Sequence, residues 1–482
     1  MWNQKFFFSF LIPLECSFPP PRFPFLMSCR LSLKTLTLLL ATLWFMAPTL
    51  GWATDCPFRP LEGQKVAQIN FEGLVHTHPL VVRRSLLHRK GAVLSCNHWQ
   101  EEQRALLGLD LFSKVNVVAT SQDEDVHLTY DFLELRQYVL FPAMKSTDLN
   151  GFMLGGGGAA LNLFGQDIRL DGYGRTSLAP LFNATEYMLW ATSPWLGPWP
   201  LGWEMLLTGV DAINPGKSFY ERSYAFELDI YQKSFHPFNF LFTADVIALL
   251  HDPNNQFFTP DANTAIPLFL SDTGWDVVPK VGFALIWDGR DRMVNPISGQ
   301  YLELRWSQFG GFLGGPADYQ EYLLDYRGYF QLDPVHYLQF TSLGQYRPGT
   351  MGAYDLYHVG GTNSVRAYVM TPINYAQHEW INTLEYRFAA IPQQDFTFWD
   401  DNFYSGLHLV AGLDAAWLWR TDTGDPYLMS TAYVGAHILF PYVERVRVEF
   451  GVGELAAGPD RFIWGVTVGL FEKAFMQRER IR

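Results

Sequence analysis

Charge is scarce in this chain. Only 17% of its 482 residues are Asp, Glu, Lys or Arg, and acidic residues outnumber basic ones 48 to 35. A formal net charge of −13 leaves no basic face for nucleic acid, which needs clustered Lys and Arg to displace counterions. Long apolar runs are missing as well. Past the N-terminal 53 residues no run reaches the roughly 18 apolar residues of a membrane-spanning helix, which excludes a helical membrane bundle. Signatures of catalysis are missing too. No Cys/His spacing fits a zinc site, and no Gly-x-Ser-x-Gly elbow presents a nucleophile. The stretch His378–Asn382 opens like a zinc-protease helix but lacks the second His, so it reads as the start of a strand. Gly155–Gly158 is followed by neither Lys-Ser/Thr nor a helix, so it is not a phosphate loop; it marks a close approach of strands. No enzyme, cofactor or metal site is expected.

What the chain does have is aromatic residues, at 16%. That is more than a soluble core consumes, and with so few charges it points to a surface facing lipid. The N-terminus carries a targeting pattern. Arg30 and Lys34 precede an apolar run, Leu36–Ala47, and Gly51-Trp52-Ala53 offers the small residues a signal peptidase reads, with cleavage expected after Ala53. Residues 27–53 therefore read as a signal peptide. Residues 1–26 read as a mis-called start; an uncleaved anchor is the alternative. Four cysteines are present, and Cys16 and Cys29 fall in the removed part. The remaining pair, Cys56 and Cys96, reads as a disulfide in an oxidising compartment, with two free thiols as the other reading. Its loop of about 40 residues would stabilise by about 4 kcal/mol in the loop-entropy model.

Residues 54–135 differ from all that follows. "VAQINFEG" alternates and ends on a turn glycine, so it reads as a strand. "HPLVVRRSLLHRKG" sets Leu80, Arg83, Arg84 and Leu87 at helical spacing and stops at Gly91. "NHWQEEQRALLGLD" reads as a second helix, capped by Asn97 with acidic residues in its first turns and Gly108 after it. Two alternating strands follow, with a polar turn near Asp123. Strand, helix, helix, strand, strand is enough for one small α+β domain.

From Arg136 the pattern becomes strand after strand. In "YLELRWS", Tyr301, Glu303, Arg305 and Ser307 share one face and Leu302, Leu304 and Trp306 the other. "RVRVEFG" sets Arg445, Arg447 and Glu449 against Val446, Val448 and Phe450. "DIRLDGYGR" sets Asp167, Arg169, Asp171 and Arg175 against Ile168, Leu170 and Gly172. A water-filled interior with lipid outside explains several ions per strand on one face and aromatics on the other. The expectation is a transmembrane antiparallel β-barrel of about sixteen strands over residues 136–472, its termini on one side, with residues 473–482 as a tail. The closing seam would pair a first strand near Arg136–Lys145 with a last near Phe462–Phe471, and Pro142 would weaken the first.

This order of elements resembles the POTRA-plus-barrel outer-membrane assembly factors, the BamA and TamA superfamily, also called the bacterial surface antigen family. The carriers are "INFEG" and "LGLDLFSKVNVV" in the small domain, and "LNLFGQDIRL" (Leu161–Leu170) after the second barrel strand. "WDGRDRMVNPISGQYLEL" matches the family's Asp-x-Arg-Asp…Pro-x-x-Gly segment through Asp288, Arg290, Asp291, Pro296 and Gly299. "VGGTNSVRAY", with Gly360, Gly361, Val365, Arg366 and Tyr368, resembles the family's Val-Arg-Gly-Phe/Tyr loop, and "LEYRF" and "AGLDAAW" the strands after it. The resemblance implies a POTRA-like periplasmic domain and an insertase or translocase in a bacterial-type outer membrane. Its partners would be outer-membrane lipids, client outer-membrane or secreted proteins, and a periplasmic protein on the POTRA-like domain. A secretion translocator for one partner, or a passive or substrate-specific pore, is the alternative. The chain departs from the pattern at Ala367, where the family carries Gly, and in having one POTRA-like unit. The resemblance also implies that the loop folds into the lumen and that Arg366 meets carboxylates there. Alternation supplies two: Glu385 lies on the face of Ile381, Thr383 and Arg387, and Asp414 on the face of His408 and Gly412.

Overall fold

The computed structural model describes residues 56–472 apart from 108, 110, 123–124, 148–150, 179–183, 198, 215–218, 236–237, 251–266, 268, 273–274, 292–294, 361–363, 369–374, 399–400, 420–426, 441–442 and 456–461. The signal-peptide, extension and tail segments, and Gly108, Asp123 and Gly361, lie outside the described residues. The chain divides into two compact units, residues 1–56 and 57–482.

Its N-terminal part is an α+β unit. Strands β1 (Lys65–Glu72), β2 (Phe112–Gln122) and β3 (Asp125–Glu134) form a sheet in the order β1-β3-β2. β1 runs parallel to β3 and β2 antiparallel to it. Helix α1 (Pro79–Ser85) is shorter than the periodicity predicts. Leu86 is already extended there, buried while Leu87 is exposed. His78 caps α1, accepting the Leu80 amide on Nδ1. Helix α2 (Cys96–Leu107) starts one residue before the expected cap, so Asn97 lies inside it and no acidic residue falls in the first turn. Glu102 instead serves the core. It is fully buried and accepts from the Leu87 amide at 2.6 Å, the His88 amide, His88 Nδ1 at 2.8 Å and the Tyr130 hydroxyl at 2.8 Å. His88 Nε2 faces the Ser95 amide at 3.1 Å. Burial alone would raise the Glu102 carboxyl, but the hydrogen bonds from His88 outweigh it and hold it below its ordinary value. Cys96, the first residue of α2, is buried.

The remaining strands close on themselves. They begin with β4 (Tyr138–Thr147), β5 (Gly151–Leu163), β6 (Ile168–Ser177), β7 (Thr185–Ser193), β8 (Leu201–Asn214) and β9 (Phe219–Phe235). Next come β10 (Phe238–Leu250), β11 (Trp275–Asp288), β12 (Gly299–Gly310), β13 (Asp318–Gln331) and β14 (His336–Tyr346). Three two-residue strands follow: β15 (Gly349–Thr350), β16 (Tyr357–His358) and β17 (Tyr375–Ala376). The wall ends with β18 (His378–Phe398), β19 (Asp401–Trp419), β20 (Tyr427–Phe440), β21 (Val443–Leu455) and β22 (Phe462–Glu472). Sixteen long strands and short β15 form one closed barrel in which β22 neighbours β4, while β16 and β17 pair apart from it. Closure removes the unpaired edges that no water could satisfy inside a bilayer.

Alternation holds along the wall. Leu304, Leu324, Leu413 and Phe450 face outward and exposed, while Glu303, Asp325, Asp414 and Glu449 are buried on the inner face. An apolar belt this continuous would not stay in water and fits lipid. Residues two apart share a face, so the inner wall repeats a same-strand ion pair: Arg169–Asp171 at 2.6 Å, Arg327–Asp325 at 2.6 Å and Arg387–Glu385 at 2.5 Å. The four glycines of β5 lie in the ladder between β4 and β6, not in a loop. A Cβ on Gly157 would stand 2.5 Å from the Phe141 ring, so this is the close approach expected.

An even number of long strands leaves the turns alternating between two ends. The α+β unit meets the near end at two turns. His78 donates its amide to the Gly165 carbonyl at 2.9 Å, and Asn162 Nδ2 donates to Thr77 Oγ1 at 2.9 Å. Gly165 has φ +68, and a Cβ there would stand 2.3 Å from the His76 carbonyl oxygen. Further round, Arg84 donates to the Gly197 carbonyl at 3.0 Å and lies 4.8 Å from the centre of the Trp195 ring.

Candidate functional site

The segment between β14 and β18 belongs to the far end, yet Met351, Tyr354, Tyr357, Val359 and residues 364–368 in it are buried. Val359 and Val365 are fully buried, and with Tyr368 and Ala376 they pack on Ile381, Ala416, Leu418 and Met429 of the wall. Met351 and Leu356 join Val278, Phe309 and Tyr319. Two arginines tie this segment down.

Arg366 lies among three carboxylates from three strands. Its Nη1 is 2.6 Å from Asp414 Oδ1 on β19, its Nη2 3.3 Å from Glu385 Oε2 on β18, and its Nε 2.9 Å from Glu449 Oε2 on β21. Its amide donates to Asp414 Oδ2 at 3.1 Å. The guanidinium stacks 3.8 Å from the centre of the Tyr433 ring, whose hydroxyl donates to Glu385 at 2.7 Å. Thr383 and Thr431 donate to Asp414, and His437 Nε2 stands 2.8 Å from Glu449 Oε1. A planar fork with five donors suits such a set, since each nitrogen meets a separate acceptor. The flanking turn closes on Ser364, whose hydroxyl accepts the Gly360 amide at 2.7 Å and donates to its carbonyl at 2.8 Å. Gly360 has φ +140.

Glu385 also carries the site toward the near end. Arg387 Nε donates to Glu385 Oε1, and Arg387 Nη1 lies 3.4 Å from Asn295 Oδ1 in the turn between β11 and β12. That turn holds the other group of sequence-predicted residues. Arg290 grips Asp288 with two nitrogens at 2.8 and 2.7 Å, and stacks on Tyr301. Asp291 accepts the amides of Ile297 and Ser298, just after Pro296, at 3.0 and 3.1 Å. Gly299 has φ +99, and a Cβ there would stand 2.2 Å from the Gly289 carbonyl oxygen. These residues build a tight reversal, and Asn295 links it to Arg387.

Sequence reasoning missed Glu449, Tyr433 and a second clamp. Arg347, just after β14, pairs with Glu321, with Nε at 2.7 Å and Nη2 at 2.5 Å. It stacks 3.7 Å from the Tyr357 ring centre and donates to the Asp355 carbonyl. Tyr357 in turn donates to Glu321 at 2.8 Å. Glu449 was legible as an inner-face residue, but which strand sits beside the loop is a matter of tertiary register. Among the described residues, two clusters bring together groups of the kind that bind metals: Glu385, His437 and Glu449, and Glu227, Asp229 and Asp245. In the first, the Arg366 guanidinium already stands among the carboxylates. In the second, Lys280 Nζ is 2.6 Å from Asp245.

A closed sixteen-strand barrel with an ion-paired inner wall, a lipid-facing belt and an inward-held far-end segment defines an outer-membrane type of β-barrel. The chain belongs to the Omp85 superfamily: residues 185–469, more than half its length, match the Omp85 superfamily domain. Among solved structures it is similar to BamA from Haemophilus ducreyi lacking POTRA domains 1–3. That likeness has 14% identity and a TM-score of 0.60, covering 85% of each chain. It is also similar to CdiB from Escherichia coli, at 13% identity and TM-score 0.57 over 85% of this chain and 76% of that one. CdiB from Acinetobacter baumannii is similar at 14% and 0.55, over 85% and 74%. At these identities the likeness is one of fold. No curated protein matches.

Proposed function

We propose that this protein is an outer-membrane insertase or translocase, with residues 54–135 as a POTRA-like periplasmic domain that receives client polypeptide. The carrying observation is the inward-held segment: a barrel built for passive conduction has no use for a buried loop whose arginine meets three carboxylates from three strands. The seam supports the same reading. β4 carries Pro142, which supplies no N–H to either neighbour, and a client strand could add at such an edge. A translocator for one dedicated secreted protein is the second reading, since one α+β unit precedes the barrel among the described residues.

Photo-crosslinkers placed on β4 and β22, with controls on β10 and β11, test it in cells. Adducts with several β-barrel proteins at seam positions alone are expected. Adducts with one secreted protein would favour the second reading. No seam-specific adduct, together with a large steady conductance in planar bilayers, would overturn both.

The pairing of Cys56 with Cys96 is part of this proposal, since an exported domain of this size gains from a staple. Peptide mapping without reduction should find the two cysteines in one crosslinked peptide. Two alkylatable thiols in the native protein would rule the bridge out.

A further inference from the structure

Gly451 on β21 and Gly465 on β22 are register partners. Both lie under the loop tip. A Cβ on Gly451 would stand 3.0 Å from the Ala367 Cβ and 3.2 Å from its nitrogen. A Cβ on Gly465 would stand 3.2 Å from the Ala367 Cα and carbonyl oxygen. Ala367 itself has φ +73, a left-handed conformation that costs an L residue about 1 kcal/mol or more. Its methyl is buried. The strained tip is held from both sides: Arg366 reaches Glu449, two residues before Gly451 on the same strand, and Ile463 of β22 packs against the cluster that contains Tyr368.

We infer that Gly451 and Gly465 form a seat for Ala367, and that the seated tip latches the terminal strand β22 into the wall from the lumen side. β22 is the strand that closes the barrel against β4. A tip that rests on β22 and is tethered by ions to β18, β19 and β21 resists displacement of that strand. Lifting the tip removes this support and leaves β22 with its backbone ladders. The latch gives the seam of the proposed function its control and rests on that reading; the seat itself does not.

The experiment uses the full-length protein in outer membranes. Val365→Cys, fully buried at the loop tip, reports lifting through its labelling by a maleimide. Hydrogen–deuterium exchange of the β22 peptide reports the latch. Gly451→Ala overpacks the seat and should speed labelling by roughly tenfold, with faster exchange in β22 and unchanged exchange in β10–β12. Adding Ala367→Gly removes the opposing methyl and should return labelling to within about twofold. Gly465→Ala overpacks the seat from the other strand and should reproduce the first phenotype, which keeps the seat testable should Gly451→Ala fail to assemble. Unchanged labelling in the enlarged variants, or no rescue by Ala367→Gly, would overturn the seat whatever the seam does. Faster labelling with unchanged β22 exchange would keep the seat and overturn the latch. Loss of seam-specific client adducts in otherwise unaltered protein would count against the proposed function and leave the seat standing.

Discussion

Arg366→Ala is expected to abolish function while the barrel still folds. The substitution removes the one guanidinium that touches Asp414, Glu385 and Glu449 together, and all three lie almost wholly out of water. Breaking a buried ion pair by deleting one partner costs about 3–5 kcal/mol, because the remaining charge stays desolvated. Asp414 would keep the Thr383 and Thr431 hydroxyls and the backbone amide of residue 366, neutral donors that do not replace the charge of the guanidinium. Most of that cost falls on the loop's position, since the sixteen-strand ladder does not run through Arg366. Outer-membrane level and heat-modifiability should therefore stay near wild type while activity is lost. Arg366→Lys should rescue only weakly: one ammonium cannot reach three carboxylates on different strands or stack as a plane on Tyr433. A double-mutant cycle of Arg366 with Asp414 should give a coupling clearly beyond the roughly 0.3–0.5 kcal/mol within which independent sites add. Additive effects, or an active Arg366→Ala protein, would end the anchor reading.

The architecture was legible because a membrane barrel writes its inside and outside into a period of two. Tyr301, Glu303, Arg305 and Ser307 against Leu302, Leu304 and Trp306 can be sorted without any knowledge of neighbouring strands, and the structure sorts them that way. The ends of elements were less legible. α1 stops at Ser85 and Leu86 is buried in an extended chain, on the same i, i+4 spacing from Val82 that a longer helix would show, so periodicity through Leu87 does not mark the end. Asn97 looked like a cap because nothing local says that Cys96 and its bond to Glu62 start the helix a residue earlier. The site shows the same division. Arg366, Glu385 and Asp414 came from the loop motif and from alternation on the next two strands. Glu449 is 83 residues from Arg366 and Arg347 lies 26 residues from Glu321, so each depends on barrel register, which no local spacing encodes. Ala367 carried a signal that could be read only halfway. Its methyl in place of the family's glycine marked strain, but the glycine pair that receives it sits on the last two strands of the chain.

A covalently locked seam should stop the protein reversibly. β22 and β4 are neighbours in the closed barrel, and Val466 and Leu140 both point outward from them, away from the anchored loop. A disulfide needs Cα atoms about 4.4–6.8 Å apart, so cysteine pairs scanned around these two positions should crosslink in one register and fail one residue away, where the side chain turns inward. The lock leaves Arg366, its carboxylates and the Ala367 seat untouched. It removes only the freedom of β22 to leave β4, an edge already weakened by the missing amide of Pro142. Activity should fall in proportion to the crosslinked fraction and return with dithiothreitol, while a matched pair across β10 and β11, joined along their length, should crosslink without loss. Full activity in an efficiently locked protein would mean that clients do not use the seam. The ion-paired lumen, opened by movement of the 347–377 segment, would then have to carry them, and Arg366→Ala should in that case increase conductance.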